Sequence, residues 1–318
     1  MRKKQKEKRN KMNAVFAVIL VLLVVYTLMM FSLLLIGLNI SLKHYSDVER
    51  FNNYFGLPNV SLWKGKSIFS NYIDVFKNLK INVPKSYIVG LFNQERVNAP
   101  IKGDLITCAI YTVLYAGGGA LFSTFMPMFM GYLCAMYKNK VSSIIYAVVL
   151  FVIATPIIGS QPAAINLMRS IRLYNTFWGE WIRRASFANM YFLIFVAYFK
   201  GLSSGYGEAA EIDGASQLSI MFRIYLPLAT SIFFTVYLIL FVAYWNDFTT
   251  PMMFLPSKPT LAYLIYYKTT VDSGGSDGLS RITKTMAALM VFAIPIIVIF
   301  TVFNKRLMSN LTMGGVKE

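Results

Sequence analysis

Long apolar runs, separated by short polar or basic segments, dominate the chain. They cover Ala14 to Asn39, Leu105 to Tyr137, Val141 to Gly159, Ala185 to Phe199, Leu228 to Leu255 and Met286 to Phe303. A membrane-crossing helix needs about 20 largely apolar residues to span ~30 Å of hydrocarbon. The pattern therefore predicts an all-α integral membrane protein with six transmembrane helices. In the first run only Thr27, Ser32 and Gly37 interrupt the apolar sequence. It is too long for a signal-peptide core and no small-residue cleavage site follows it, so it reads as a retained span.

The second run is longer than one straight span requires and contains Gly117, Gly118, Gly119 and Pro127. It predicts a long or bent helix, in which the triple glycine lets a neighbouring backbone approach closely. The turn Lys138-Asn139-Lys140 ends it. The fourth run is short and holds Ser186 and Asn189, and the fifth ends near Asn246-Asp247. Three regions follow: residues 1–40, a basic N-terminus and the first helix; residues 41–102, a polar extracytoplasmic loop with Pro58, Pro84 and Pro100; and residues 103–318, a core of five helices.

Composition sharpens this picture. Of 318 residues, 56% are apolar and only 14% charged, against about 25% charged in a soluble domain. Mean hydropathy is +0.54. These values exclude a disordered chain, a collagen and a soluble globule. The net charge of +17 would suggest nucleic acid in a soluble protein. In so apolar a chain it reads as charge facing membrane lipid, with no nucleic-acid partner. Seven Lys/Arg lie within Met1–Met12, whereas only Lys43 and Arg50 closely follow the first span. That asymmetry places the N-terminus in the cytoplasm. Six spans then return the C-terminus to the cytoplasm and leave the segment 200–227 on the same side.

Candidate chemistry is sparse. Two cysteines, Cys108 and Cys134, give no disulfide framework, and the single histidine, His44, removes most histidine-based catalysis and metal sites. No metal and no cofactor are expected. His44 reads as a surface residue, Arg183-Arg184 as a membrane edge, and Asp104 and Asp247 as span-end carboxylates within reach of water. Trp245 and Asn246 are candidates for a substrate pathway, since an aromatic face beside an amide suits carbohydrate. The competing reading is an interfacial tryptophan with a span-ending polar pair. Ser273 to Gly278 is glycine-rich but has no lysine placed for phosphate, so it reads as a flexible loop.

The segment from Gly205 to Pro227 is the most specific. Its residues predict a short helix containing Glu208, a left-handed cap at Gly214, and a second amphipathic helix started by Ser216. Pro227 ends that helix or begins the next span. Glu208-Ala209-Ala210, then Gly214, then Ile224-x-Leu226-Pro227 at the expected spacing resemble the signature cytoplasmic loop of ABC importer permeases. Further motifs resemble the maltose-type carbohydrate branch: Asn71-Tyr72 with Val75-Phe76, Asn175-Thr176-x-Trp178-Gly179, Trp245-Asn246-Asp247, and the tail Leu311-Thr312-x-Gly314-x-Val316-Lys317. The likeness runs from about Ile68 to the C-terminus. It departs at Ser231, where the family has a second proline, and in the long second span and first outer loop.

The resemblance implies a type I importer permease fold in a bacterial plasma membrane. It implies as partners a second homologous permease, an ABC ATPase dimer, an extracytoplasmic solute-binding protein and a carbohydrate substrate. It assigns ATPase coupling to Glu208, Ala209, Ala210, Asp213, Gly214, Ala215, Ile224, Leu226 and Pro227, with Glu208 meeting a basic residue in an ATPase groove. It also implies that Tyr266 to Arg281 reaches toward the docked binding protein. The chain lacks a Gly-x-x-x-x-Gly-Lys-Ser/Thr loop, so it is expected to be a transporter subunit and not itself an ATPase. The alternatives are an importer permease for a non-sugar solute, a membrane-embedded enzyme and a non-transporting scaffold. The enzyme lacks the catalytic clusters it would need, and the scaffold would have no use for the signature.

Overall fold

A computed structural model describes residues 2–83, 101–137, 139–155, 159–271 and 281–311. The chain divides into two compact units. One joins Met1–Leu79 to Asp272–Ala293, and the other joins Lys80–Val271 to Ile294–Glu318.

The first unit begins with one continuous helix, α1 (Arg2–Ser41). Its apolar side chains from Phe16 to Leu35 are exposed all round, as in a helix surrounded by lipid. Gly37 is a packing position, because a Cβ there would lie 2.9 Å from Met290 Cε of the C-terminal helix, Ile282–Leu311. The polar segment that follows is structured. It forms α2 (Tyr45–Glu49), a 3-10 turn (Val60–Trp63) and α3 (Ser70–Asn78). Buried polar groups hold it together: Asn71 Nδ2 donates to the carbonyls of Ser41 and Lys43, both at 2.8 Å. Asp47 accepts from Asn53 Nδ2 and from the Asn59 N–H. His44 is half-buried and not a surface residue. Its Nδ1 accepts from the Ser46 N–H to cap α2, and its ring meets Trp63 edge-on at 5.1 Å.

The second unit opens with an antiparallel pair, β1 (Lys80–Val83) and β2 (Ile101–Asp104), in the register Lys80↔Asp104 to Val83↔Ile101. The segment 41–102, expected as a loop, thus contains helices and most of one strand ribbon. Asp104 then caps α4 (Leu105–Met136) by accepting the Thr107 N–H at 2.9 Å. This long run forms one continuous helix through Gly117–Gly119 and Pro127. Buried neighbours Ser123, Thr124 and Met128 surround the turn that Pro127 weakens.

Next come α5 (Lys140–Ala154), α6 (Ser160–Ser170), α7 (Phe177–Arg184), α8 (Met190–Lys200) and α9 (Gly205–Ile212). Then follow α10 (Gln217–Leu228), α11 (Thr230–Trp245), α12 (Thr249–Phe254) and α13 (Leu261–Tyr266). Among the described residues three helices are long and apolar enough to cross a membrane: Phe16–Ser41, Leu105–Met136 and Ile282–Ile299. A fourth arises if α10 and α11, bent by 64°, count as one span.

The expected third and fourth spans become helices of 15 and 11 residues. The fourth is short because Asn189 turns back to cap α8, accepting the Tyr191 N–H at 3.0 Å, which leaves Ala185–Ser186 outside the helix.

The core of this unit gathers on α4. The backbones of α4 and α8 come close at Gly131, where a Cβ would lie 2.8 Å from Phe195 Cβ and 3.2 Å from the Val196 nitrogen of α8. Small residues permit such contact where side chains would hold helices apart. Tyr132, one residue on, is buried edge-on against Phe199 at 5.4 Å.

Candidate functional site

Two regions of the larger unit carry the sequence candidates. In the first, α9 ends at Asp213 and the chain turns at Gly214, whose φ is +81°. The Gly214 N–H donates to the Glu211 carbonyl at 3.0 Å and the Ala215 N–H to the Ala210 carbonyl at 2.9 Å. This pair of bonds is a Schellman motif, which satisfies the last carbonyls of a helix. A Cβ on Gly214 would meet nothing within 4 Å, so the requirement for glycine is conformational and not steric. Ser216 Oγ accepts the Ser219 N–H and starts α10.

The candidates then separate by exposure. Glu208, Ala209, Asp213, Gly214 and Pro227 are exposed; Ala210, Ala215 and Ile224 are half-buried; Leu226 is buried. Residues Met221–Tyr225 form a π-helical turn, and Leu226 N–H reaches the Met221 carbonyl. The chain bends at Ala229, just past Pro227.

Residues outside the signature attach this segment to the core. Tyr225 is buried and packs against Tyr132 of α4 at 5.4 Å. Gly207 gives it room, since a Cβ there would lie 3.0 Å from the Tyr225 hydroxyl. Gln217 accepts from the Tyr137 hydroxyl at 3.1 Å and donates to Glu211. The same segment exposes Ile212, at 87%, and Leu218 and Phe222. The segment thus offers solvent a carboxylate, small residues and apolar side chains on a firmly attached base.

The second region is a buried ion network that sequence reasoning missed. Glu180 of α7 accepts from Arg183 Nε at 2.8 Å, Arg183 Nη2 at 2.7 Å and Arg184 Nε at 2.6 Å. Arg184 Nη2 also reaches Asp247 at 3.2 Å and donates to the Tyr115 hydroxyl, which donates in turn to Asp247 at 2.7 Å. The Arg184 guanidinium lies over the Tyr244 ring, 3.7 Å from its centroid. Arg183 and Arg184 are thus committed to ion pairs, and Asp247, a span-end carboxylate with its side chain 21% exposed, is paired with Arg184.

The glycines of α4 make this possible, by a route other than the expected one. Gly118 faces the Trp181 indole, with a Cβ position 2.2 Å from the ring, and Gly119 faces Arg184 Cδ and Tyr244 at 3.1 and 3.2 Å. The triple glycine accommodates side chains here, and backbones meet instead at Gly131.

Trp245 is buried against Phe241 at 5.6 Å. Asn246 is exposed, follows the last turn of α11 and donates from Nδ2 to the Val242 carbonyl at 2.8 Å. Of that candidate pair, only the amide meets solvent. Among the described residues no group of three or more His, Cys, Asp or Glu is placed to hold a metal. The Ser273–Gly278 loop and the tail beyond Leu311 lie outside the described residues, as does Asp272–Ser280 of the Tyr266–Arg281 segment.

Comparison with known proteins agrees with this layout. Residues 127–312 match the family model described as binding-protein-dependent transport system inner membrane component. The chain is 27% identical over 237 residues to the arabinooligosaccharides transport system permease protein AraQ of Bacillus subtilis, covering 70% of this chain and 83% of that protein. It is 25% identical over 222 residues to the trehalose transport system permease protein SugB of Mycobacterium tuberculosis, covering 68% and 79%. A chain in the crystal structure of a bacterial ABC transporter that imports the acidic polysaccharide alginate has the same fold. The TM-score is 0.69 at 22% identity, covering 92% of this chain and 96% of that one.

Proposed function

The chain belongs to the family of binding-protein-dependent transport system inner membrane components, and from that premise we propose that it is the permease subunit of an ATP-driven carbohydrate importer in a bacterial plasma membrane. The relatives named for arabino-oligosaccharides and trehalose support the substrate class. As a permease subunit the chain moves solute and leaves ATP hydrolysis to a separate ATPase. Its partners are a second permease, an ATPase dimer and a solute-binding protein. The six apolar runs act as six spans, with both termini in the cytoplasm.

The observation that carries the mechanism is the α9–Gly214–α10 segment. Glu208, Ala209 and Ala210 form its docking helix, Asp213, Gly214 and Ala215 set the turn, and Ile224, Leu226 and Pro227 lead into the membrane. Residues 200–227, which contain this segment, hold three acidic residues, Glu208, Glu211 and Asp213, against two basic ones, Lys200 and Arg223, on an otherwise basic cytoplasmic face. An acidic, partly apolar helix complements a basic groove on an ATPase. Because Tyr225 and Gln217 of α10 tie the segment to Tyr132 of α4 and to Tyr137 just past its end, displacing the ATPase displaces the helix core. Closure of the ATPase dimer would then favour one of two packings that open the pathway to opposite sides.

The test is ATP hydrolysis by the assembled importer, stimulated by its binding protein loaded with single sugars. Failure of an ATPase to co-purify with the chain would overturn the importer reading. Stimulation by a non-sugar solute alone would overturn the carbohydrate assignment.

A further inference from the structure

A recess of about 280 Å³ opens between α4, the turn joining α7 to α8, and α11. Ser123, Arg183, Ser186, Asn189, Tyr191 and Tyr244 line it. We infer that this recess is a sugar subsite that takes one uncharged sugar ring of the transported molecule. The inference rests on the carbohydrate-importer reading and extends it to named residues of this chain.

Size limits the guest first. Small-molecule sites run from about 300 to 1,000 Å³, so this recess suits a single ring and not a chain of them. Its chemistry then fits a sugar. Ser186 and Tyr191 offer hydroxyls that can both donate and accept, as sugar hydroxyls require, while the Asn189 amide holds the turn by donating to the Ser186 carbonyl and accepting the Tyr191 N–H. Among the described residues no hydrogen bond engages the Ser186 or Tyr191 hydroxyl: Ser186 uses its backbone carbonyl to hold Asn189, and Tyr191 its backbone N–H. Tyr191 also supplies an aromatic face. Tyr244 is committed elsewhere, stacked under Arg184 and bonded to Ser123 at 2.9 Å.

Charge decides between a neutral and an acidic ring. Arg183 and Arg184 also wall the recess, yet each is already paired, with Glu180 and with Glu180 and Asp247 respectively. Two guanidinium groups stand against two carboxylates, so the cluster is balanced before any guest arrives. A uronate would bring a negative charge that the cluster, already balanced, does not compensate. A ring bearing only hydroxyls leaves the balance intact.

The experiment uses the assembled importer with Ala188, a residue lining the same recess, replaced by cysteine in a Cys108→Ser, Cys134→Ser background. Maleimide labelling of Ala188→Cys is timed in the presence of glucose, arabinose, galacturonate or sorbitol. The expected result is that glucose or arabinose slows labelling severalfold, that galacturonate and sorbitol do not, and that Tyr191→Ala removes the protection. Stronger protection by galacturonate, equal protection by sorbitol, or no protection while the importer still takes up sugar overturns the subsite alone. An importer whose ATPase answers to no sugar-loaded binding protein overturns the carbohydrate reading and the subsite with it.

Discussion

The Arg184 guanidinium meets the Asp247 carboxylate at 3.2 Å, joining the end of α7 to the residues that follow α11. Both side chains are largely withdrawn from solvent, at 10% and 21% exposure. The pair shares Tyr115 of α4 as a common partner, so three helices converge on one hydrogen-bonded cluster.

Arg184→Met is expected to destabilise more than Asp247→Asn. Losing the arginine leaves the Asp247 charge without its cation, held only by the Tyr115 hydroxyl and the Thr250 N–H, whereas losing the Asp247 charge leaves Arg184 on Glu180. Breaking a buried pair by removing one partner costs about 3–5 kcal/mol, with partial exposure here pointing to the lower end. The Arg184→Met/Asp247→Leu double variant should recover part of that loss. Thermal unfolding of the purified chain in detergent would check the order of the three, and an Asp247→Asn protein weaker than Arg184→Met would contradict it.

Gly118→Ala should be poorly tolerated and Gly117→Ala well tolerated, although the two are adjacent. The new methyl at 118 would lie 2.2 Å from the Trp181 ring, while at 117 the nearest atom is the Tyr237 hydroxyl at 3.7 Å. Overpacking of this kind costs about 1–3 kcal/mol. Trp181 is pinned by its Nε1 bond to the Leu114 carbonyl at 3.1 Å, so it cannot simply swing aside. Detergent melting curves of the two alanine variants should differ clearly, and equal curves would count against this packing.

At Gly214 the cost is one of backbone conformation. Placing a non-glycine residue at φ +81° costs about 1 kcal/mol, and asparagine tolerates the position best. Gly214→Asp should insert and assemble in the membrane yet lose binding-protein-stimulated ATP hydrolysis, with Gly214→Asn retaining more of it. Full stimulated hydrolysis in Gly214→Asp would remove the coupling role.

His44 makes the segment after α1 sensitive to acid. Burial, and then the positive Arg281 and Lys66, hold its pKa below the ordinary value of 6.5. The neutral ring is the one whose Nδ1 accepts the Ser46 N–H. A group whose pKa is lower in the folded chain binds its proton more readily when unfolded, so stability falls as pH drops through that ordinary value toward the folded one. His44→Asn keeps a capping acceptor without titrating in this range. Its unfolding temperature should change less than that of the natural chain between about pH 7.5 and pH 5, and parallel behaviour of the two proteins would refute this role for His44.

Much of the architecture is local and so was legible in the residue order. The Gly214 turn, the Ser216 cap and the Asn139 cap of α5 each depend on groups within five residues of one another. The segment after α1 was harder to read. Asn71 is an ordinary polar residue in sequence, and it becomes structural only because the chain returns it to the Ser41 and Lys43 carbonyls. Glu180 offered one signal that could have been used, since it stands three and four residues before Arg183 and Arg184, the spacing at which helical side chains meet. Nothing in the sequence spacing pointed to Asp247 as the next partner.

The order of residues by itself determined a membrane-embedded helical chain, its apolar runs, and the helix–glycine–helix segment of the importer family. Hydropathy is a sum over neighbouring residues, and helix caps close within a turn. Tertiary structure alone decided that Gly118 faces an indole, that Trp245 is buried while Asn246 is exposed, and that Arg184 is shared between Glu180 and Asp247. Those outcomes depend on which distant side chain comes to occupy the same few ångströms. In a low-dielectric interior that proximity decides whether a charge is paired or stranded, and no local pattern encodes it.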